Sequence, residues 1–186
     1  MEPPSATSSR SVSRDAPAVP QGVVCAAAAL AVLRIGSSRS WLKGALLGTD
    51  AKWRWDFLSG HGLAQRIVAP GTGFSHSAVT PGINHLLTSV VLPHAAFFAW
   101  MIAVSELAIG TSLATGTLAR LGGLLAILRA ITNVAVGGLA AETVGHNWML
   151  GLAGLVVLIA AAGRSYGIDA LLTRRYPQSR LLRLVA

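Results

Sequence analysis

The chain has 186 residues, of which 53% are hydrophobic and 12% charged. Soluble domains carry about 25% charged residues, so this composition excludes an ordinary water-soluble protein and indicates an integral membrane protein. The net charge is +8, and the positions of the basic residues fit the orientation of a membrane protein better than binding to nucleic acid. No nucleic-acid partner is therefore predicted. The single cysteine, Cys25, excludes an intramolecular disulfide and a self-contained dithiol relay.

The predicted fold is all-α, a transmembrane four-helix bundle with one long extracytoplasmic loop. Residues 1–21 are rich in Ser, Pro and Ala and predict a disordered cytoplasmic tail. The transmembrane domain covers 22–172, its long loop 49–83, and a basic cytoplasmic tail follows at 173–186. Four stretches are close to the roughly 20 residues that a bilayer requires: 22–48, 86 or 93 to 113, 118–141 and 147–163.

The first apolar run, at 23–33, also has the length of a signal-peptide core. Cys25 opens that run and does not follow it, which fits a lipoprotein cleavage site poorly. Because apolar residues resume after Arg34, we favour an uncleaved first span. The segment WRWDFLSGHGLAQRIV at 53–68 could contain a short interfacial helix within the long loop.

Basic residues predict the orientation. Three lie in the long loop, Lys52, Arg54 and Arg66. Eight others fall on the side of the termini: Arg10, Arg14, Arg120, Arg164, Arg174, Arg175, Arg180 and Arg183. Since cytoplasmic segments carry the excess of Lys and Arg, we predict a multi-pass protein of the cell membrane with both termini cytoplasmic.

Three charged residues, Arg34, Glu106 and Arg129, lie inside the apolar spans. A charge in hydrocarbon costs roughly 3 kcal/mol on insertion scales, so such residues are expected to face the interior and to pair. Arg129 shares a helix face with Asn133. The sequence therefore predicts an intramembrane network of Arg34, Glu106, Arg129 and Asn133 with one positive charge in excess. That excess suits an anion, a lipid phosphate or a quinone carbonyl, whereas an ion-paired strut that fixes helix register is the structural alternative.

No catalytic residue is assigned by spacing, and no metal site is predicted. The histidines show neither an HxxxH nor an HExxH pattern; they are His61, His76, His85, His94 and His146.

Three segments carry a resemblance to a known family. They are LRIGSSRSWLKG at 33–44, VVLPHAAFFAWMIAVSELAIGTSLATGTLARLGGLL at 90–125 and HNWMLGLAGLVVLIAAAGRSYGIDALL at 146–172. In order and spacing they resemble the DoxX family of small four-helix membrane proteins, and in particular its DoxD-type subunit of a thiosulfate:quinone oxidoreductase. The resemblance covers most of residues 22–172.

This resemblance implies a membrane subunit of a redox complex that oxidises a small sulfur anion such as thiosulfate, with quinone as acceptor. It also implies a second redox subunit or a soluble sulfur-metabolism protein as partner, besides the lipid bilayer. The alternatives are a non-enzymatic scaffold that recruits soluble partners to the membrane, and a small transporter.

The resemblance places Arg34, Glu106, Asn147 and Arg164 at motif positions. The lysine that the family pattern places after the first-span arginine is not at its usual spacing, because Lys43 comes early and Lys52 late.

Overall fold

The computed structural model describes residues 21–47, 51–70, 73–138, 141–160, 162–164 and 166–179. Within these residues every regular element is helical, as the sequence predicts. The predicted N-terminal tail lies outside the described residues except for Gln21, and so does the end of the predicted basic tail from residue 180 onwards.

Nine α-helices follow one another along the described part of the chain. They are α1 (Gln21–Leu46), α2 (Trp55–Leu58), α3 (His61–Val68), α4 (Phe74–Ser77), α5 (Pro81–Leu86), α6 (Ala95–Thr115), α7 (Ala119–Gly137), α8 (Ala141–Ala160) and α9 (Ile168–Arg175). A π-helical turn, Leu87–Val91, follows α5, and a 3₁₀ turn, Ala162–Arg164, follows α8.

The four long helices pack side by side. Helix α1 lies along α6, α6 contacts α7, α7 lies along α8, and α8 returns to α1. Helices α7 and α8 approach each other closely at Gly123, where a Cβ would lie 2.6 Å from the carbonyl oxygen of Gly154. Small residues at such crossings let backbones meet, as in membrane helix pairs.

Two helices, α6 and α7, are long and apolar enough to cross a membrane among the described residues. Helix α8 contributes a shorter apolar stretch, Val144–Ala160. Helix α1 is long enough, but it carries Arg34, Arg39 and Lys43. Large apolar side chains on the outer faces, including Phe97, are exposed, as expected of a lipid-facing surface.

The segment predicted as one long loop is largely helical. Helices α2 to α5 pack over one end of α6 and α7 and form a second hydrophobic core. Its buried residues are Phe57, Leu63, Ile67, Leu87 and Ala99. We call this segment, residues 51–91, the cap. Its apolar side chains bury one another against α6, which explains why it is not an irregular loop.

The predicted second span begins later than its earliest predicted start at residue 86. The chain is helical through α5 and the π-helical turn, breaks at 92–94 and resumes as α6. Pro93 lies in the break, where a residue without an N–H interrupts the helical ladder.

Candidate functional site

A cavity of about 600 Å³ lies between the cap and helices α6 and α7. Most of its wall is apolar, with Phe57, Leu63 and Phe74 from the cap and Phe98 and Ile102 from α6. Several polar residues converge in one part of the lining, Lys52, Glu106, Arg129, Asn133 and Asn147, and the cation Arg66 of the cap lines the same cavity. An apolar cavity with a few convergent polar groups is typical of small-molecule sites.

Glu106 is the centre of the polar part. Its residue surface is only 3% exposed, and each carboxylate oxygen meets one cation. Oε2 lies 3.1 Å from Lys52 Nζ, and Oε1 accepts a hydrogen bond from Arg129 Nη2 at 3.0 Å. Two cations therefore face one carboxylate, and the cluster keeps one positive charge in excess.

A chain of side chains extends this cluster across three helices. Arg129 on α7 donates a short hydrogen bond from Nη1 to Asn133 Oδ1 one turn later. Asn133 Nδ2 donates to Asn147 Oδ1 on α8 at 2.9 Å. Residues four apart share a helix face, so the spacing of Arg129 and Asn133 accounts for their contact.

Lys52 reaches Glu106 because backbone hydrogen bonds hold residues 52 and 53 against the last turn of α1. The backbone N–H of Lys52 donates to Gly44 O at 3.1 Å, and that of Trp53 donates to Ala45 O at 2.8 Å. A Cβ on Gly44 would lie 3.2 Å from Glu106 Oε2 and 3.5 Å from Lys52 Nζ. Glycine at position 44 thus leaves room for the ion pair.

Arg34 does not belong to this cluster, and the prediction that it joins Glu106 is wrong. Its residue surface is 1% exposed, and Nη2 donates to Tyr166 O at 2.6 Å. Its guanidinium packs against Gly116, where a Cβ would lie 1.5 Å from Nη1. Gly44 on α1 meets Glu106 instead, ten residues beyond Arg34, which is about 15 Å along a helix.

The physical reason is the antiparallel packing of α1 and α6. Arg34 contacts Gly116, and Gly44 contacts Glu106. A higher residue number on α1 therefore meets a lower residue number on α6. The periodicity of each helix predicts the face of a charge correctly but carries no information on which level of the neighbouring helix it meets.

The family model described as TQO small subunit DoxD matches residues 72–186, more than half of the chain. The chain belongs to the DoxD family. Searches of curated proteins and of solved structures gave no significant match. Family membership and the apolar helices together indicate a membrane protein of the DoxX/DoxD type.

The residues that match the DoxD model include most of the polar cluster but not all of it. Glu106, Arg129, Asn133 and Asn147 lie within the matched residues, whereas Lys52 lies before them. Sequence reasoning omitted Lys52 from the site. One signal could have pointed to it: the family pattern places a lysine after the first-span arginine, and Lys52 follows Arg34 later than that spacing.

A second buried polar cluster of this DoxD protein lies at the other end of α6. Asp169 is fully buried, and its two carboxylate oxygens accept the N–H groups of Leu118 and Ala119, each at 2.8 Å. These are the first N–H groups of α7, so Asp169 caps that helix from a distant part of the chain. Sequence reasoning did not single out Asp169, although the family segment at 146–172 contains it.

Two glycines of the same segment, Gly163 and Gly167, make this arrangement possible. A Cβ on Gly163 would lie 2.4 Å from Asp169 Oδ2, and one on Gly167 would lie 2.7 Å from Arg34 Nη1. Arg164 lies in the 3₁₀ turn between them, but its side chain is outside the described part of the structure. The end of the family segment, with Gly163, Gly167 and Asp169, therefore packs against α1 and the start of α7, and it does not line the cavity.

The absence of a metal site stays a prediction. Within the described ranges, no group of three or more His, Cys, Asp or Glu side chains is placed to hold a metal ion.

Proposed function

We propose that this DoxD protein is the membrane subunit of a complex that oxidises a small sulfur anion such as thiosulfate and transfers the electrons to quinone. In that reaction two thiosulfate ions join through a new sulfur–sulfur bond and release two electrons. Quinone takes up these two electrons and two protons to become quinol. The family description names DoxD as a small subunit, which supports a second redox subunit, or a soluble sulfur-metabolism protein, as partner.

The proposed topology has α1, α6, α7 and α8 crossing the cell membrane as a four-helix bundle. The cap then lies on the extracytoplasmic side and both termini on the cytoplasmic side. Helix α9 ends with two arginines, Arg174 and Arg175. Asp169 in the first turn of α9 accepts a hydrogen bond from Leu118, so α9 lies beside the turn between α6 and α7. The position of the two arginines at this end agrees with the excess of Lys and Arg expected in the cytoplasm.

The cavity is the proposed quinone site. Its volume of about 600 Å³ falls within the roughly 300–1,000 Å³ of small-molecule sites. A quinone has a flat apolar ring and two carbonyl oxygens, which matches an apolar wall with polar groups in one part. The surplus positive charge of Lys52 and Arg129 over Glu106 carries this proposal, because it stabilises negative charge that develops on a bound oxygen.

Bound lipophilic molecules test the proposal directly. The protein is purified in mild detergent, extracted, and analysed by mass spectrometry, and the emptied protein is titrated with a short-chain quinone analogue. We expect an endogenous quinone in the extract and an affinity that falls roughly tenfold in Arg129→Gln, the loss typical of one charge-assisted hydrogen bond. Arg39→Gln is the matched control, because Arg39 is an exposed cation on α1 that does not line the cavity.

A protein that neither carries nor binds quinone would contradict the proposal. The scaffold function would then take its place, and α9 favours it as the second candidate. Helix α9 exposes Leu171 beside Arg174 and Arg175, and Tyr176 follows it, also exposed. Such a basic and apolar surface suits anionic lipid or a soluble partner.

A further inference from the structure

A second cavity, of about 330 Å³, adjoins the proposed quinone cavity within the cap. Its lining is more polar than that of the first cavity and includes Arg54, Asp56, Gln65 and Arg66. Phe57 and Arg66 line both cavities. These two side chains therefore form a shared wall between an apolar cavity and a polar one.

The shared wall has a defined geometry. The guanidinium carbon of Arg66 lies 5.8 Å from the centroid of the Phe57 ring, a cation–π arrangement that holds the charge in place. Helix α3 lies close against α2 because Gly62 has no Cβ, which would be 3.0 Å from Asp56 Oδ2 and 3.2 Å from Phe57 Cα. Gln65 and Arg66 are thereby brought to the same cavity as Arg54.

The charge of this second cavity is positive. Two guanidinium groups face one carboxylate, that of Asp56, so the formal charge of the lining is +1. The chain between α1 and α6 has three basic residues, Lys52, Arg54 and Arg66, and all of them line one cavity or the other. In the proposed topology this segment is extracytoplasmic, where Lys and Arg are usually scarce, so their placement around the two cavities supports a role in ligand binding.

We propose that the second cavity binds the anionic co-substrate, a small doubly charged sulfur oxyanion of the thiosulfate type. A guanidinium presents paired N–H donors that match an oxyanion, and the Gln65 amide adds another donor type. This proposal rests on the proposed function and deepens it, because it assigns the anion and the quinone to separate, adjoining cavities with Arg66 between them.

Thiosulfate binding to the full chain in lipid nanodiscs tests this assignment. Titration calorimetry is run at constant ionic strength, with chloride as the singly charged control ion. Arg54→Gln changes only the second cavity and is expected to weaken thiosulfate binding roughly fivefold to tenfold, with quinone affinity unchanged. Arg66→Gln is expected to weaken thiosulfate binding similarly, whereas the exposed α1 control Arg39→Gln leaves it as in the wild type.

Three results would overturn the assignment. The first is a wild type that binds thiosulfate no better than chloride. The second is wild-type affinity in both Arg54→Gln and Arg66→Gln, and the third is an equal loss in Arg39→Gln, which would indicate general charge attraction. If Arg54→Gln does not fold, Gln65→Leu replaces it, because it removes a donor without changing the charge, and unchanged affinity there overturns the assignment as well.

The two proposals fail separately. Quinone titration of the same nanodiscs does not depend on the second cavity, so absent quinone binding contradicts the proposed function alone. Thiosulfate affinity that depends on Arg54 would still support the anion site in that case.

Discussion

At the scale of single residues, Glu106 balances the buried charge of the cavity. It is the carboxylate that meets both Lys52 and Arg129, and its burial leaves little water to replace either contact. Removing one partner of a buried charge cluster is strongly destabilising because the remaining charge is left without compensation.

Glu106→Gln is therefore expected to leave Lys52 and Arg129 facing each other. The expected loss is about 3–5 kcal/mol of unfolding free energy, seen as low yield and an early thermal transition in detergent. Arg129→Gln is the matched variant, because it leaves a neutral pair of Lys52 and Glu106 and should unfold later than Glu106→Gln. The reverse order of the two transitions would contradict this charge balance.

Residue patterns predicted the helix face on which each buried charge lies, but not which part of the neighbouring helix it meets. The spacing of Arg129 and Asn133 predicted a shared face, and they hydrogen-bond in the structure. Arg34 and Glu106 are separated because antiparallel packing pairs Arg34 with Gly116. Lys52 was missed because it lies beyond α1, where no helical periodicity leads to it.

At the scale of elements, the turn between α6 and α7 depends on a glycine. Gly116 ends α6 with a φ of 67°, in the left-handed region that L side chains rarely adopt. The Arg34 guanidinium fills the space where a side chain would start, and Gly167 Cα lies 2.9 Å from the same point. The turn, α1 and the chain after α8 thus meet at one position.

Gly116→Ala is expected to destabilise the protein by about 2 kcal/mol or more, from backbone strain and overpacking together. Gly36→Ala is the matched control on α1, because a Cβ there meets nothing within 4 Å. Helix propensity predicts that this control is stabilised by up to about 1 kcal/mol. Thermal unfolding of both variants in one detergent makes the comparison, and equal shifts would contradict it.

The long helices were predictable, and a short helix was expected where α2 and α3 form, but the other short helices of the cap were not foreseen. Helices α6 and α7 follow from apolar length alone. Helices α2 and α4 have four residues each, too few for any periodicity to show. They form because the cap buries its apolar side chains against α6 and α7, and such tertiary contacts are not visible in a local pattern.

At the scale of the whole molecule, the proposed topology places the cap and both termini on opposite sides of the membrane. A fluorescent protein fused after Ala186 is expected to fluoresce in cells, because the basic C-terminal region should remain in the cytoplasm. Alkaline phosphatase fused at the same position is the complementary reporter. Phosphatase activity with no fluorescence would reverse the topology and move both cavities to the cytoplasmic side.

In the proposed function the surplus charge beside Glu106 serves a redox reaction and does not merely hold helices together. Thiosulfate-dependent reduction of a quinone analogue, in membrane vesicles that contain the partner proteins, measures this most directly. Arg129→Gln is predicted to fold and to lose at least about tenfold of the wild-type rate, since removing one charge-stabilising donor commonly costs that much or more. If Arg129→Gln folds and keeps the full rate, the cluster is only a structural strut.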